Sequence, residues 1–319
     1  MNVIIQNSIM QKGKPVSYGS KMLGDYISPV DATVVERLAA AGAEIVGTAD
    51  IGEFGIDGLL IRTNELSPYN AMLTETVNAI KSGKADFALF NDYTGAISRA
   101  CAAQGLFYIH PTYGTVSRYG LIPAVTSMDQ IGIACTTPGT GFKALGIIAG
   151  YDQKDGIMAM DKLQTTVKSR ETKRLLKIAE PELKHSEIYS RLMQILCCAE
   201  LSCNISRYDS VKFGYRAKEY NGLNELYTKS RTEAFGEDVK LAAILGAMVL
   251  SQENYTRYYD KAMRMRRLIK DSPEFDKYDV IKASCPLLSR LCGLPSLTAP
   301  GDVYVANAGR EDILEALDL

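Results

Sequence analysis

Between residues 31 and 149 the chain alternates helix-period and strand-length apolar segments, and this alternation narrows the fold more than any other feature. Residues 31–41 read as a helix: Asp31 is placed to cap it, and Val34, Val35, Leu38 and Ala39 share one face. Residues 44–48 form an apolar run of strand length. A helix is predicted over 73–81 with Asn70 or Thr74 as its cap, then a buried strand over 86–90. A helix over 94–103, an extended run over 106–109 and a helix over 139–149 follow. The opening MNVIIQNSIMQKGKP is strand-like. This order predicts an α/β fold with a mixed β-sheet core covered by helices. From residue 162 onward the pattern is mostly helical, over 163–178, 187–204, 223–231, 239–250 and 253–269, with a last strand at Val280 and Ile281. No repeat or long linker interrupts it, so residues 1–319 are expected to form one domain with a helix-rich middle packed on the sheet.

Composition excludes several classes. With 319 residues, 46% hydrophobic and 23% charged, the chain can bury one large core. No apolar run is long enough to span a bilayer, and no signal peptide is read at the start. The seven cysteines are odd in number and lack C-x-x-C spacing, and there are only two histidines, so neither a disulfide framework nor a metal site is expected. A reducing cytoplasm is the natural setting. The net charge of -1 offers no broad field to nucleic acid. Two basic runs, Lys168, Arg170, Lys173, Arg174, Lys177 and Lys261, Arg264, Arg266, Arg267, Lys270, read as solvated helix faces.

Several blocks carry a family likeness. Residues 105–132 read GLFYIHPTYGTVSRYGLIPAVTSMDQIG, residues 19–23 GSKML, residues 31–38 DATVVERL and residues 52–55 GEFG. Later come AELSCNISRYDSV at 199–211, RTEAFG at 231–236 and KAMRMR at 261–266. Together these blocks resemble the amidase-signature enzymes, and among them the A subunits of the glutamyl-/aspartyl-tRNA amidotransferases. Relative to that family the chain reads as shortened before its first strand, between residues 150 and 200, and after residue 297.

The resemblance implies amide cleavage by a Ser-Ser-Lys triad, with a neutral lysine as base, a relaying serine and an attacking serine, and an oxyanion held by backbone N–H groups. Its motifs fall on unlike residues here. The lysine position, fifteen residues before Lys21, is Gln6. The relay motif GGSSGGSA falls over NAMLTET at 70–76 and places Leu73 at the serine. The nucleophile motif SDTGGSIRQPA falls over NDYTGAISRAC at 91–101 and places Ala96 at the serine; a one-residue shift places Ile97 there. Ser98 is the displaced candidate, though it lies about 200° around a helix from Ala96. Its local reading is a backbone hydrogen bond, and that of Cys101 is core packing.

On the substrate side the likeness marks Asp92, Thr94, Gly95, Gln130, Phe213 and Arg266 as ligand-binding candidates. Phe213 stands where the family has a tyrosine. Arg266 is read either as a carboxylate holder or as a surface ion pair. Residues 284–290, SCPLLSR, lack the acidic residue expected there. The sequence therefore predicts an amidase-like pseudoenzyme, without cofactor or metal, that binds a partner or a small ligand. The alternative is an active amidase or amidotransferase component working through displaced residues. A homodimer or hetero-partner is expected, with contacts on helices within 163–204 and an uncovered strand at Met1 to Ile9. Binding to tRNA is expected to be weak.

Overall fold

The computed structural model describes residues 1–56, 59–60, 67–158 and 175–319. Among them a nine-stranded sheet runs in the order β2-β1-β3-β5-β4-β8-β9-β7-β6. The strands are β1 Asn2–Gln6, β2 Glu44–Ala49, β3 Phe87–Asn91, β4 Phe107–His110, β5 Ile131–Cys135, β6 Ile178–Ala179, β7 Val280–Ala283, β8 Ser296–Ala299 and β9 Asp302–Ala306. β1 lies parallel to both β2 and β3, the pairs from β3 through β7 are antiparallel, and β6 returns parallel to β7. The expected mixed sheet is present.

Strand alternation sorts the central side chains to two faces. Val3, Ile5, Phe87, Leu89, Ile109, Ile131 and Ile133 pack on one side against α1, Thr33–Ala40, and α4, Pro138–Ile148. Ile4, Ala88, Phe90, Tyr108 and Ala134 pack on the other against α2, Ser67–Lys81, and α3, Ala96–Ala103. A strand apolar on both faces must be covered on both, which is why β3 and β5 are buried throughout. A third cluster gathers α5, Tyr189–Ile205, and α7, Glu237–Leu250, with side chains of β9 and of α9, Leu287–Cys292. Two further helices, α6, Gly222–Ala234, and α8, Lys261–Lys270, complete this helix-rich part, and α10, Glu311–Glu315, follows β9.

Several expectations need correction. Asp31 does not cap α1: the N-cap is Ala32, without a side-chain bond, and Asp31 accepts from Lys12 N at 2.7 Å. Neither Asn70 nor Thr74 is a cap, because α2 starts earlier, at Ser67, and Thr74 Oγ1 donates back to Asn70 O within the helix. Most of the predicted helix 163–178, with four of the five residues of its basic run, lies outside the described residues. Its end is strand, since Ile178 pairs with Val280. The helix over 253–269 opens as a π-helical turn, Thr256–Asp260. β7 is not the last strand. β8 and β9 follow it, and each is only four or five residues long, too short for an alternation signal. Met1 to Ile9 is not an uncovered strand: β1 sits between β2 and β3, and Val3, Ile5 and Ile9 are at most 2% exposed.

Candidate functional site

β3 ends in a turn, residues 91–95, that feeds directly into α3. Gly95 precedes the helix with φ 74°, a left-handed conformation that a Cβ would strain. Asp92 reaches over the turn and accepts from the backbone of Ile97 at 3.1 Å and Ser98 at 3.0 Å. A carboxylate there satisfies two of the orphan N–H groups of the first turn and complements the helix dipole. The N–H groups at this helix start are therefore occupied by the chain's own carboxylate.

Arg290 of α9 closes the turn from above. Its guanidinium donates through Nε to Asp92 O at 2.7 Å and through Nη2 to Asp92 Oδ2 at 2.9 Å and Ser98 Oγ at 3.0 Å. Nη1 donates to Ser289 Oγ at 2.9 Å and Ser296 Oγ at 3.3 Å. Both side chains of the Asp92–Arg290 pair are 0% exposed. All three guanidinium nitrogens are engaged, which is what a buried charge requires. Pro286, at the start of the same helix, lies over Gly95: a Cβ on Gly95 would sit 2.6 Å from Pro286 Cγ.

A second buried network lies alongside. Gln6 Oε1 accepts from Asn91 N at 2.6 Å. Asn91 Nδ2 donates to Asp129 Oδ1 at 2.8 Å, and Asn91 Oδ1 accepts from Gln130 N at 3.0 Å. Burial pushes the Asp129 carboxyl above the usual range, against the hydrogen bonds from Asn91, Val125 and Ala124 that favour its ionised form. Burial, with Asp129 beside it, likewise holds the Tyr18 phenol well above its ordinary value.

Gln6 and Ala96 lie at the two ends of this turn, and Leu73 lies on α2. Gln6 holds the Asn91 amide, and Leu73 and Ala96 share the apolar cluster under α3. A primary amide, an isobutyl group and a methyl can neither attack a carbonyl nor take its proton. Ser98 is buried, and its hydroxyl donates to Gly95 O at 3.2 Å while accepting from Arg290. That is the local bond expected for it. Cys101 packs in the core as expected, and burial raises its thiol above the ordinary range.

Asp92, Thr94 and Gly95 stay together in the turn and Gln130 meets it through its backbone N–H on Asn91, but Phe213 and Arg266 lie elsewhere. Gln130 Oε1 accepts from Gly114 N at 3.1 Å. Phe213 is partly exposed and packs on the rings of Tyr26 and Tyr208. Arg266 is neither a free carboxylate holder nor a surface ion pair. Its three nitrogens donate to Leu291 O, Ser127 Oγ and Ser127 O at 2.6, 2.8 and 3.0 Å. Ser127 in turn is held by Glu200, at 2.8 Å through its N–H. Sequence reasoning missed Arg290, and one signal was available. The motif SDTGGSIRQPA carries an arginine where this chain has Ser98, and Arg290 delivers a guanidinium to that place from 192 residues away.

The amidase family model matches residues 2–64, 78–184 and 160–289. The A subunit of a glutamyl-tRNA(Gln) amidotransferase from Lachnoclostridium phytofermentans is 33% identical over 96% of this chain and 72% of its own length. Its counterpart from Nitratiruptor sp. is 36% identical over 88% of this chain and 72% of its own length. Among solved structures, the glutamyl-tRNA(Gln) amidotransferase A subunit from Thermotoga maritima aligns with TM-score 0.65 and 23% identity, over 99% of this chain and 81% of that one. The peptide amidase of Stenotrophomonas maltophilia aligns with TM-score 0.69 and 17% identity, over 99% and 80%. In fold and in sequence, the chain belongs to the amidase family.

Proposed function

We propose that this chain is an amidase-fold protein without amide-cleaving chemistry, and that it acts by binding a partner chain or small ligand as a subunit-like member of its family. One observation carries the reading. The place above the α3 turn, where a nucleophile would meet a substrate, is filled by Arg290 and Pro286. A guanidinium with every nitrogen engaged and no exposed surface cannot yield that place to a substrate without leaving Asp92 buried and unpaired. The residues aligned with the triad supply neither nucleophile nor base. The competing reading, an amidase working through Ser98, needs that hydroxyl to be reachable, and it is fully buried. Among the described residues no helix is long and apolar enough to cross a membrane. The relatives named as amidotransferase subunits favour a hetero-partner over a solitary role.

Two measurements test the reading together. Labelling by a fluorophosphonate and hydrolysis of glutamine, asparagine or aryl amides should both stay at the buffer level. Loss of a nucleophile or base removes about a million-fold of rate in a comparable hydrolase. The double variant Gln6→Lys, Ala96→Ser should remain inactive, because triad members act as a unit and the relay glycines are missing. Turnover that survives repurification and disappears in Ser98→Ala would establish the competing reading instead.

A further inference from the structure

The run AELSCN in α5 sets Ala199 against Cys203 and Glu200 against Asn204 at a spacing of four, so the four side chains share one side of the helix. With Thr126, Leu250 at the end of α7 and Tyr259 of the π-helical turn, they line a pocket of about 360 Å3, at the small end of ligand sites. One wall is fixed: Asn204 is 8% exposed and donates to Ala124 O at 2.9 Å and to Thr126 Oγ1 at 3.0 Å. The carboxylate in this pocket lacks a counter-charge. Glu200 is half-buried and accepts only from Ser127, through its N–H at 2.8 Å and its hydroxyl. A carboxylate has about four lone-pair sites, so acceptor capacity remains. No cation stands within ion-pair range of Glu200 among the described residues. Arg266 donates to the Ser127 hydroxyl and carbonyl instead, and Arg207 is bound to Asn204 O and Oδ1. Tyr259 adds an aromatic ring, 5.3 Å from that of Tyr255. Burial raises its phenol, and the Glu200 carboxylate nearby adds to the rise, so the ring stays neutral beside the charge.

We propose that this pocket binds a primary alkylammonium group, held by Glu200 and the ring of Tyr259, with its hydrocarbon tail against Ala199 and Leu250. The chemistry selects the class. A half-buried carboxylate without a counter-charge favours a cation over a neutral ligand and disfavours an anion. The three donors of an ammonium suit the free lone pairs of Glu200 and the Thr126 hydroxyl. The negative face of an aromatic ring favours the same sign of charge. Such a group is carried by a free small amine or by the lysine side chain of a partner protein, and the pocket's chemistry is the same for both. The pocket is built from α5, the end of α7, the π-helical turn and Thr126, so the inference stands apart from the α3 turn and from the question of catalysis.

The test is saturation-transfer NMR of n-butylammonium titrated against the full chain, near neutral pH and at fixed ionic strength. Saturable binding is expected, with none for n-butanol or butyrate at equal concentration. Glu200→Gln keeps an acceptor for Ser127 and should weaken binding about tenfold or more, the worth of a hydrogen bond to a charged group. Tyr259→Leu should weaken it about threefold, and Tyr259→Phe should leave it unchanged. Cys203→Trp, at an exposed position of the lining, should block the pocket. Far-UV circular dichroism of each variant should match the parent; if Glu200→Gln fails to fold, Cys203→Trp and the two Tyr259 variants decide. A lysine blocked at both its α-amino and carboxyl groups is the second probe. Tighter binding than n-butylammonium identifies a partner's lysine as the source, weaker binding a free amine, and either upholds the site. No saturable binding, equal binding of n-butanol, or an affinity unmoved by Glu200→Gln and Cys203→Trp would overturn the proposal. A catalytically active chain that still binds the amine through Glu200 would sink the non-catalytic reading and leave this one standing.

Discussion

Replacing Arg290 with Met keeps much of the side-chain volume and removes the charge, which isolates what the guanidinium does. Five hydrogen bonds are lost, two of them to Asp92. Breaking a buried ion pair by removing one partner costs about 3–5 kcal/mol, because the remaining charge is left uncompensated. Here the cost belongs near the lower figure. Asp92 keeps its two amide donors from Ile97 and Ser98, and Ser98 keeps Gly95 O. Ser289 and Ser296 keep each other at 3.0 Å. A loss of about 3 kcal/mol follows, which for a chain of 319 residues lowers the melting midpoint by roughly 4–5 °C. Urea titration followed by far-UV circular dichroism measures it, with linear extrapolation. The pair is then closed as a cycle with Asp92→Asn and the double variant, where a coupling of about 2 kcal/mol or more is expected. A variant within about 1 kcal/mol of the parent, or a coupling under about 0.5 kcal/mol, would refute the reasoning. The filled turn could not then be called a strongly held feature of the fold.

Two further outcomes test other parts of the structure. Gly246 lies in α7 where a Cβ would meet Cys198 O at 2.1 Å, so Gly246→Ala should destabilise the chain by about 2 kcal/mol or more in the same titration, although alanine favours an exposed helix by about 1 kcal/mol. Asp155 is raised by burial, but the Arg118 side chain and backbone N–H bonds outweigh this and hold it below the usual carboxylate range. The Arg118–Asp155 pair, at 2.9 Å, therefore stabilises fully above the unfolded value of about 3.9, and its contribution fades as pH falls through the lower folded value. The stability gap between the parent and Asp155→Asn, about 1.5–3 kcal/mol near neutral pH, should close on acidification below pH ~4; a gap that persists unchanged at the lowest accessible pH would contradict the assignment.

The sheet's middle was legible in the chain because strand residues alternate between two buried faces. Val3 and Ile5 point to one cluster and Ile4 to the other, and the same holds for Leu89 against Phe90. The helices of that half have clear apolar faces, although the helix expected from residue 94 begins only at Ala96, after a turn that was not read in advance. The family likeness identified the fold on the same residues. Local pattern does not carry the rest. β8 and β9 are short and wholly or almost wholly buried, so they show neither alternation nor length. The caps of α1 and α2 depended on what else competed for Asp31 and on where α2 begins. Arg266 looked available from its place on a basic helix, yet packing against Ser127 and Leu291 engages all three of its nitrogens. Above all, sequence determined which residues stand at the α3 turn, from Asn91 to Ala96, since residue identity alone decides what chemistry a side chain can offer. Tertiary structure decided what fills the space: Arg290 meets Asp92 across 198 residues of chain. A buried charge is stable only beside its counter-charge, and only the folded sheet brings the two together.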